Sequence, residues 1–128
     1  MKEVMAIVRL NKVNITRDAL EKAGFPAYTC RKVLGRGKQA GVEMLIQPRY
    51  STSDLTKEQY GAISQNQNLI PKRVFTLVVR DEDVSNVVDA IMEANSTGNY
   101  GDGRIFILPV TEALRIRDGQ QQTDSESY

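Results

Sequence analysis

A strand-like apolar run followed by a helix-periodic segment occurs twice in this chain, and that repeat restricts its possible folds more than any other feature. Val4-Met5-Ala6-Ile7-Val8 is continuous and rich in branched side chains, the pattern of a buried strand. From about Asn14 to Ala23 the spacing predicts a helix with Ile15, Ala19, Leu20 and Ala23 on one face. Asn14 or Thr16 is placed to cap its start, and Gly24 followed by Pro26 ends it. Ala27 to Leu34 reads as a second strand and Lys72 to Val79 as a third. Asp81 offers a cap for a second helix, along which Val84, Val87, Val88 and Ile91 recur until about Asn95. Ile105 to Leu108 makes a fourth strand, and Thr111 to Arg117 is a short mixed segment. The tail from Asp118, "DGQQQTDSESY", is polar and expected to be disordered.

The order is β-α-β-β-α-β, an α+β arrangement of the ferredoxin-like type. With 128 residues there is chain for one modest core, so residues 1–117 are expected to form a single domain and 118–128 a tail. One antiparallel sheet with both helices on one face leaves its other face to be covered, which argues for self-association. Between the second and third strands lie about three dozen residues, Gly35 to Ile70, where a hairpin needs about two to five. A segment this long in so small a domain is read as a working arm, because glycines and charges cluster at its roots.

Composition narrows the function. Net charge is +1, from 17 basic and 16 acidic side chains, so there is little general attraction for nucleic acid. Strand aromatics amount to Tyr28, Phe75 and Phe106, too few with no basic face for an RNA-binding sheet. No histidine is present, which removes the commonest general base and disfavours an enzyme. The single cysteine, Cys30, cannot form an internal disulfide. No apolar run is long enough to cross a bilayer and the start lacks a secretory pattern, so a cytoplasmic protein with no membrane insertion is expected.

Four short stretches carry candidate chemistry. "LGRGKQAG", Leu34 to Gly41, is a glycine-punctuated backbone that can offer N–H groups to an anion, with Lys38 supplying charge, though taken alone a flexible strand exit is the commoner reading of such a stretch. "TGNYGDGRIF", Thr97 to Phe106, joins three glycines to Arg104 at a strand start, where the cation can reach a phosphate. Its position between a helix and the following strand is the reverse of a dinucleotide-binding turn. In Arg115-Ile116-Arg117, an extended chain would point both guanidiniums to one side, with an anion or a carboxylate of Glu112 or Asp118 between them. Pro71-Lys72 stands at the other root of the long segment.

Together these stretches resemble the PII signal-transduction family. "TGNYGDGRIF" is similar to that family's C-terminal signature, "RIR" lies at its usual distance beyond, and "GRGKQAG" resembles the entry to its large T-loop. The resemblance implies a PII-type trimer of ferredoxin-like subunits holding ATP or ADP in clefts between neighbours. Residues implied for the nucleotide are Thr29, Gly35, Gly37, Lys38, Gln39, Val78, Tyr100, Gly101, Asp102, Gly103, Arg104, Arg115 and Arg117. Gln39 is implied as the ligand of Mg²⁺, and Gly37, Gln39, Gly41, Lys72 and Gly101 as the 2-oxoglutarate site. The family's tyrosine-bearing loop signature is replaced by "LIQPRYSTSD", in which Tyr50 lies near the position of the modified tyrosine and Arg49 beside it. An enlarged loop with an intact ligand site looks most like the nitrogenase-associated branch, and within it like the second, longer-looped paralogue. The resemblance therefore implies a homo- or hetero-oligomer that inhibits nitrogenase until 2-oxoglutarate with ATP releases it. Glutamine synthetase or an ammonium transporter is the alternative target.

Overall fold

The computed structural model describes residues 1–37 and 69–122. Among them the strands and α-helices follow in the expected order: β1 (Lys2–Arg9), α1 (Val13–Lys22), β2 (Thr29–Gly35), β3 (Ile70–Val79), α2 (Val84–Asn95) and β4 (Arg104–Pro109). The strands form one sheet in the order β2-β3-β1-β4, with each neighbouring pair antiparallel. This is the ferredoxin-like α+β topology. No helix among the described residues is long and apolar enough to span a membrane.

Register decides which residues meet the helices. Val4 stands opposite both Leu77 and Ile107, and Ala6 opposite both Phe75 and Ile105. Because side chains alternate along a strand, Val4, Ala6 and Val8 share a face with Phe75, Leu77 and Val79. That face meets Leu20 of α1 and Val87 and Ile91 of α2, and together these residues form the buried core. Each of the larger side chains, Ala6 excepted, contributes about 1.5–3 kcal/mol on full burial.

The helix starts differ from expectation. Neither Asn14 nor Thr16 caps α1; a 3₁₀ turn, Leu10–Lys12, leads into it instead. Asp81 likewise opens a 3₁₀ turn, Asp81–Asp83, and pairs with the N-terminal ammonium at 3.1 Å. A tight 3₁₀ turn supplies backbone geometry that a side-chain cap would otherwise provide. The buried stripe of α1 is also shifted. Ile15 is half exposed, whereas Thr16 and Leu20 are buried. Thr16 tolerates burial because its hydroxyl donates to the Lys12 carbonyl at 2.7 Å and accepts from Asn95 Nδ2 at 2.9 Å. Apolar spacing alone cannot reveal a polar bridge between two helices.

Past β4, residues 113–122 form a hairpin turn. Arg115 N–H donates to the Gln120 carbonyl, Gly119 N–H to Arg115, and Gln122 N–H to Ala113. Residues 118–122 of the expected tail belong to this turn; residues 123–128 lie outside the described ones. The opposite sheet face carries Met5, Ile7, Val78 and Phe106, and no described helix lies over it.

Candidate anion-binding site at one end of the sheet

On the helix-free face, β1 ends in Arg9 directly opposite Lys72 of β3, with Val33 of β2 across from Lys72. Two cations facing each other across a strand pair repel. Here both turn to the same carbonyl. Arg9 Nε donates to Gly101 O at 3.1 Å and Lys72 Nζ donates to it at 2.9 Å, while Arg9 Nη2 donates to Tyr100 O at 2.8 Å. The loop 97–103 is thereby drawn over the ends of β1 and β3.

The loop holds its shape through Asp102. Its carboxylate accepts the Thr97 hydroxyl, the Thr97 N–H at 2.7 Å and the Gly98 N–H at 3.1 Å. Arg9 Nη2 also lies 3.4 Å from it. The Thr97 hydroxyl first, then the Thr97 N–H, hold the Asp102 carboxyl below the usual carboxylate range; the Arg9 charge and Gly98 N–H add to this against partial desolvation. With its lone pairs engaged inward, Asp102 shapes the loop.

The glycines divide their work. Gly101 has φ +95° and Gly103 φ +114°, both in the region that favours glycine. At Gly103 a Cβ would stand 1.8 Å from the Ile7 carbonyl oxygen, so this glycine admits the β1 backbone. At Gly101 a Cβ would sit 3.2 Å from Arg9 Nη2. The close approach at Gly103 is therefore made by the protein itself.

Arg104 opens β4 opposite Ile7, exposed, on the same face as Arg9 and Lys72. Its side chain has no hydrogen bond or ion pair among the described residues. Gly35 stands diagonally across from Lys72, whose Cγ lies 4.0 Å from where a Gly35 Cβ would be. Gly37 follows, exposed. Register also puts Thr29 and Val78 on this face: Thr29 pairs with Thr76, next to Val78 on the same side. Val78 lies about 20 Å along β3 from Lys72 at strand rise, so one face links an apolar patch to a cationic end.

Arg115 and Arg117 are not side by side in an extended segment as expected. Residues 116–118 form a turn; Ile116 is fully exposed and Arg115 faces Asp118. The chain reaches them after β4 has run from Arg104, beside Ile7, to Pro109, beside Lys2. Lys38, Gln39 and Gly41, with Arg49 and Tyr50, lie outside the described residues. Among the described residues no cluster of three metal-ligating His, Cys, Asp or Glu occurs.

Sequence reasoning missed Arg9. The available signal was positional: a cation closing one apolar strand at the level where Lys72 opens another.

A profile described as "Nitrogen regulatory protein P-II" matches residues 1–120. The "Nitrogen fixation nifHD region GlnB-like protein 2" of Methanothermobacter marburgensis is 45% identical over 125 residues, 98% of this chain and 99% of that protein. The like-named protein 2 of Methanothermococcus thermolithotrophicus is 45% identical over 120 residues, 94% of each chain. The same organism's "GlnB-like protein 1" is 41% identical over 120 residues, 94% of this chain and 97% of that protein.

Proposed function

The chain belongs to the nitrogen regulatory protein P-II family, and from that premise we propose that it is a non-catalytic sensor of ATP or ADP and of 2-oxoglutarate. Its long segment, residues 35–70, then acts as the T-loop that restrains a partner, dinitrogenase, until 2-oxoglutarate with ATP releases it. The observation that carries this reading is the convergence of Gly35, Lys72, Arg9 and the 97–104 loop where that segment leaves and re-enters the sheet. A ligand bound there touches both roots of the arm.

The described residues suit an anionic, extended ligand. Arg104 offers a guanidinium for phosphate that has no side-chain partner among the described residues, and Tyr100, Gly101, Asp102 and Gly103 set the backbone around it. Thr29 and Val78 offer an adenine a flat, partly apolar strip on the same face. Lys72 exchanges the Gly101 carbonyl for the distal carboxylate of 2-oxoglutarate, a charged acceptor in place of a neutral one. Mg²⁺ in such a site is held chiefly by phosphate and oxoacid oxygens, with Gln39 completing the set, and needs no carboxylate cluster. A neighbouring copy of the chain brings Arg115 and Arg117, and covers the helix-free face of the sheet in a homotrimer or a hetero-oligomer with a paralogue.

Nitrogenase is preferred as the target because the similar methanogen proteins are named for the nifHD region. The slightly greater identity to protein 2 than to protein 1 of one organism supports the second-paralogue reading. Calorimetric titration tests the sensing. 2-Oxoglutarate binds at least about tenfold more tightly with Mg-ATP present, within the usual range of ligand coupling; equal affinity without nucleotide overturns the coupled site. A pull-down with and without 2-oxoglutarate identifies the target, and retention of glutamine synthetase or an ammonium transporter in place of dinitrogenase overturns that assignment.

A further inference from the structure

The Arg115 guanidinium lies against a carboxylate of its own chain. Arg115 Nη2 is 2.6 Å from Asp118 Oδ2, and Nε is 3.1 and 3.2 Å from the two carboxylate oxygens. The hairpin fixes this meeting from both sides. Arg115 N–H is bonded to Gln120 O, Gly119 N–H returns to Arg115 O, Leu114 bridges Gln121, and Gly119 makes the turn at φ +69°. Arg115 and Asp118 are each about one-third exposed, so solvent and a solute reach the pair. A two-oxygen acceptor on a guanidinium fork has the shape of the contact that a phosphate makes.

We propose that Asp118 is a resident competitor for the phosphate-binding face of Arg115, so that nucleotide binds by displacing this carboxylate. The proposal rests on the nucleotide reading above and adds a residue outside it. Binding then requires an exchange of one anion for another, and the carboxylate lowers the affinity of anything that needs Arg115. The competition reaches only ligands with phosphates. Asp118 stays charged through the neutral range, because the hydrogen bond from Arg115, and then the Gln120 N–H, hold its carboxyl below the usual carboxylate range.

The test compares the full-length protein with Asp118→Asn, which keeps an oxygen to accept the Gln120 N–H now bonded to Asp118 at 3.1 Å. ATP and adenosine are titrated calorimetrically into both. The expected result is ATP affinity raised about two- to fivefold in Asp118→Asn, the range for removing an exposed ion pair, with adenosine affinity unchanged. In an Arg115→Ala background the same substitution leaves ATP affinity unchanged, because the two residues then share nothing. Equal ATP affinity in wild type and Asp118→Asn overturns the competition, as does a gain that persists in Arg115→Ala. If neither protein binds ATP, the nucleotide reading fails and this inference with it.

Discussion

The 97–103 loop and the 113–122 hairpin each hold an arginine, and they satisfy it in opposite ways. Arg9 and Lys72 donate to main-chain carbonyls of the loop, which orients them, and the Asp102 carboxylate stands at a longer 3.4 Å from Arg9. Arg115 meets a full carboxylate, which neutralises it. In the first arrangement an incoming anion competes with carbonyl oxygens for the donors; in the second it must replace a carboxylate in direct contact with the guanidinium. Cations of one sequence type thus stand at different stages of readiness, and the difference lies in the partner each has been given.

The comparison breaks most easily at Gly103, because the loop's position depends on its backbone passing close to β1. Gly103→Ala places a methyl group 1.8 Å from the Ile7 carbonyl oxygen at φ +114°. Either the loop or β1 must move, and a cost of about 3 kcal/mol or more is expected in chemical denaturation. A loss below about 1 kcal/mol means that the loop is held by its cations alone and can sit elsewhere.

A smaller effect is expected at Arg9. Arg9→Ala removes the donors to Tyr100 O and Gly101 O and the charge near Asp102, while Lys72 keeps its bond to Gly101 O. Charge-assisted bonds of this kind contribute about 1.5–3 kcal/mol when shielded, and partial exposure of Arg9 reduces the expected global loss to about 1 kcal/mol. Amide exchange should accelerate at residues 98–103 and remain unchanged in α1 and α2. Acceleration spread evenly over the core would show that Arg9 serves the sheet and not the loop.

Much of this division was legible in the sequence, but not its partners. Apolar runs separated by two helical periodicities specify the sheet and its helices, since side-chain alternation and helical spacing are local properties. Glycine density at 98–103 marks a tight loop for the same reason. That Gly103 faces Ile7 depends on which strand runs beneath it, and that follows from topology rather than local pattern. Arg9 was overlooked because a terminal arginine on an apolar strand looks like ordinary solvated charge until Lys72 is set opposite it. Arg115-Ile116-Arg117 was read as extended because alternating charge suits a strand; Gly119 and Asp118 turn it into a hairpin through bonds between residues up to nine apart.

The subtlest test concerns acid. Asp102 has its carboxyl lowered below the ordinary value, first by the Thr97 hydroxyl and then by the Thr97 N–H. A carboxylate with a lowered folded-state pKa stabilises the fold fully above its unfolded pKa, about 3.9, and loses that contribution as pH falls through the lowered value. The loop should therefore loosen at a pH where the helix-covered core remains intact, and loosening is read as faster exchange of the Gly98 amide relative to Leu77. Asp102→Asn removes the titrating group and should abolish the pH-dependent part of that difference while keeping an oxygen for one Thr97 or Gly98 donor. The Asp118 carboxyl is lowered likewise, first by the hydrogen bond from Arg115, yet its protonation should leave the Gly98 amide unmoved, because among the described residues the hairpin's backbone bonds run within residues 113–122. If Asp118→Asn changes exchange at Gly98 as much as Asp102→Asn does, the two arginine sites are coupled within one chain, and the contrast between a carbonyl-held cation and a carboxylate-held one no longer separates two independent regions.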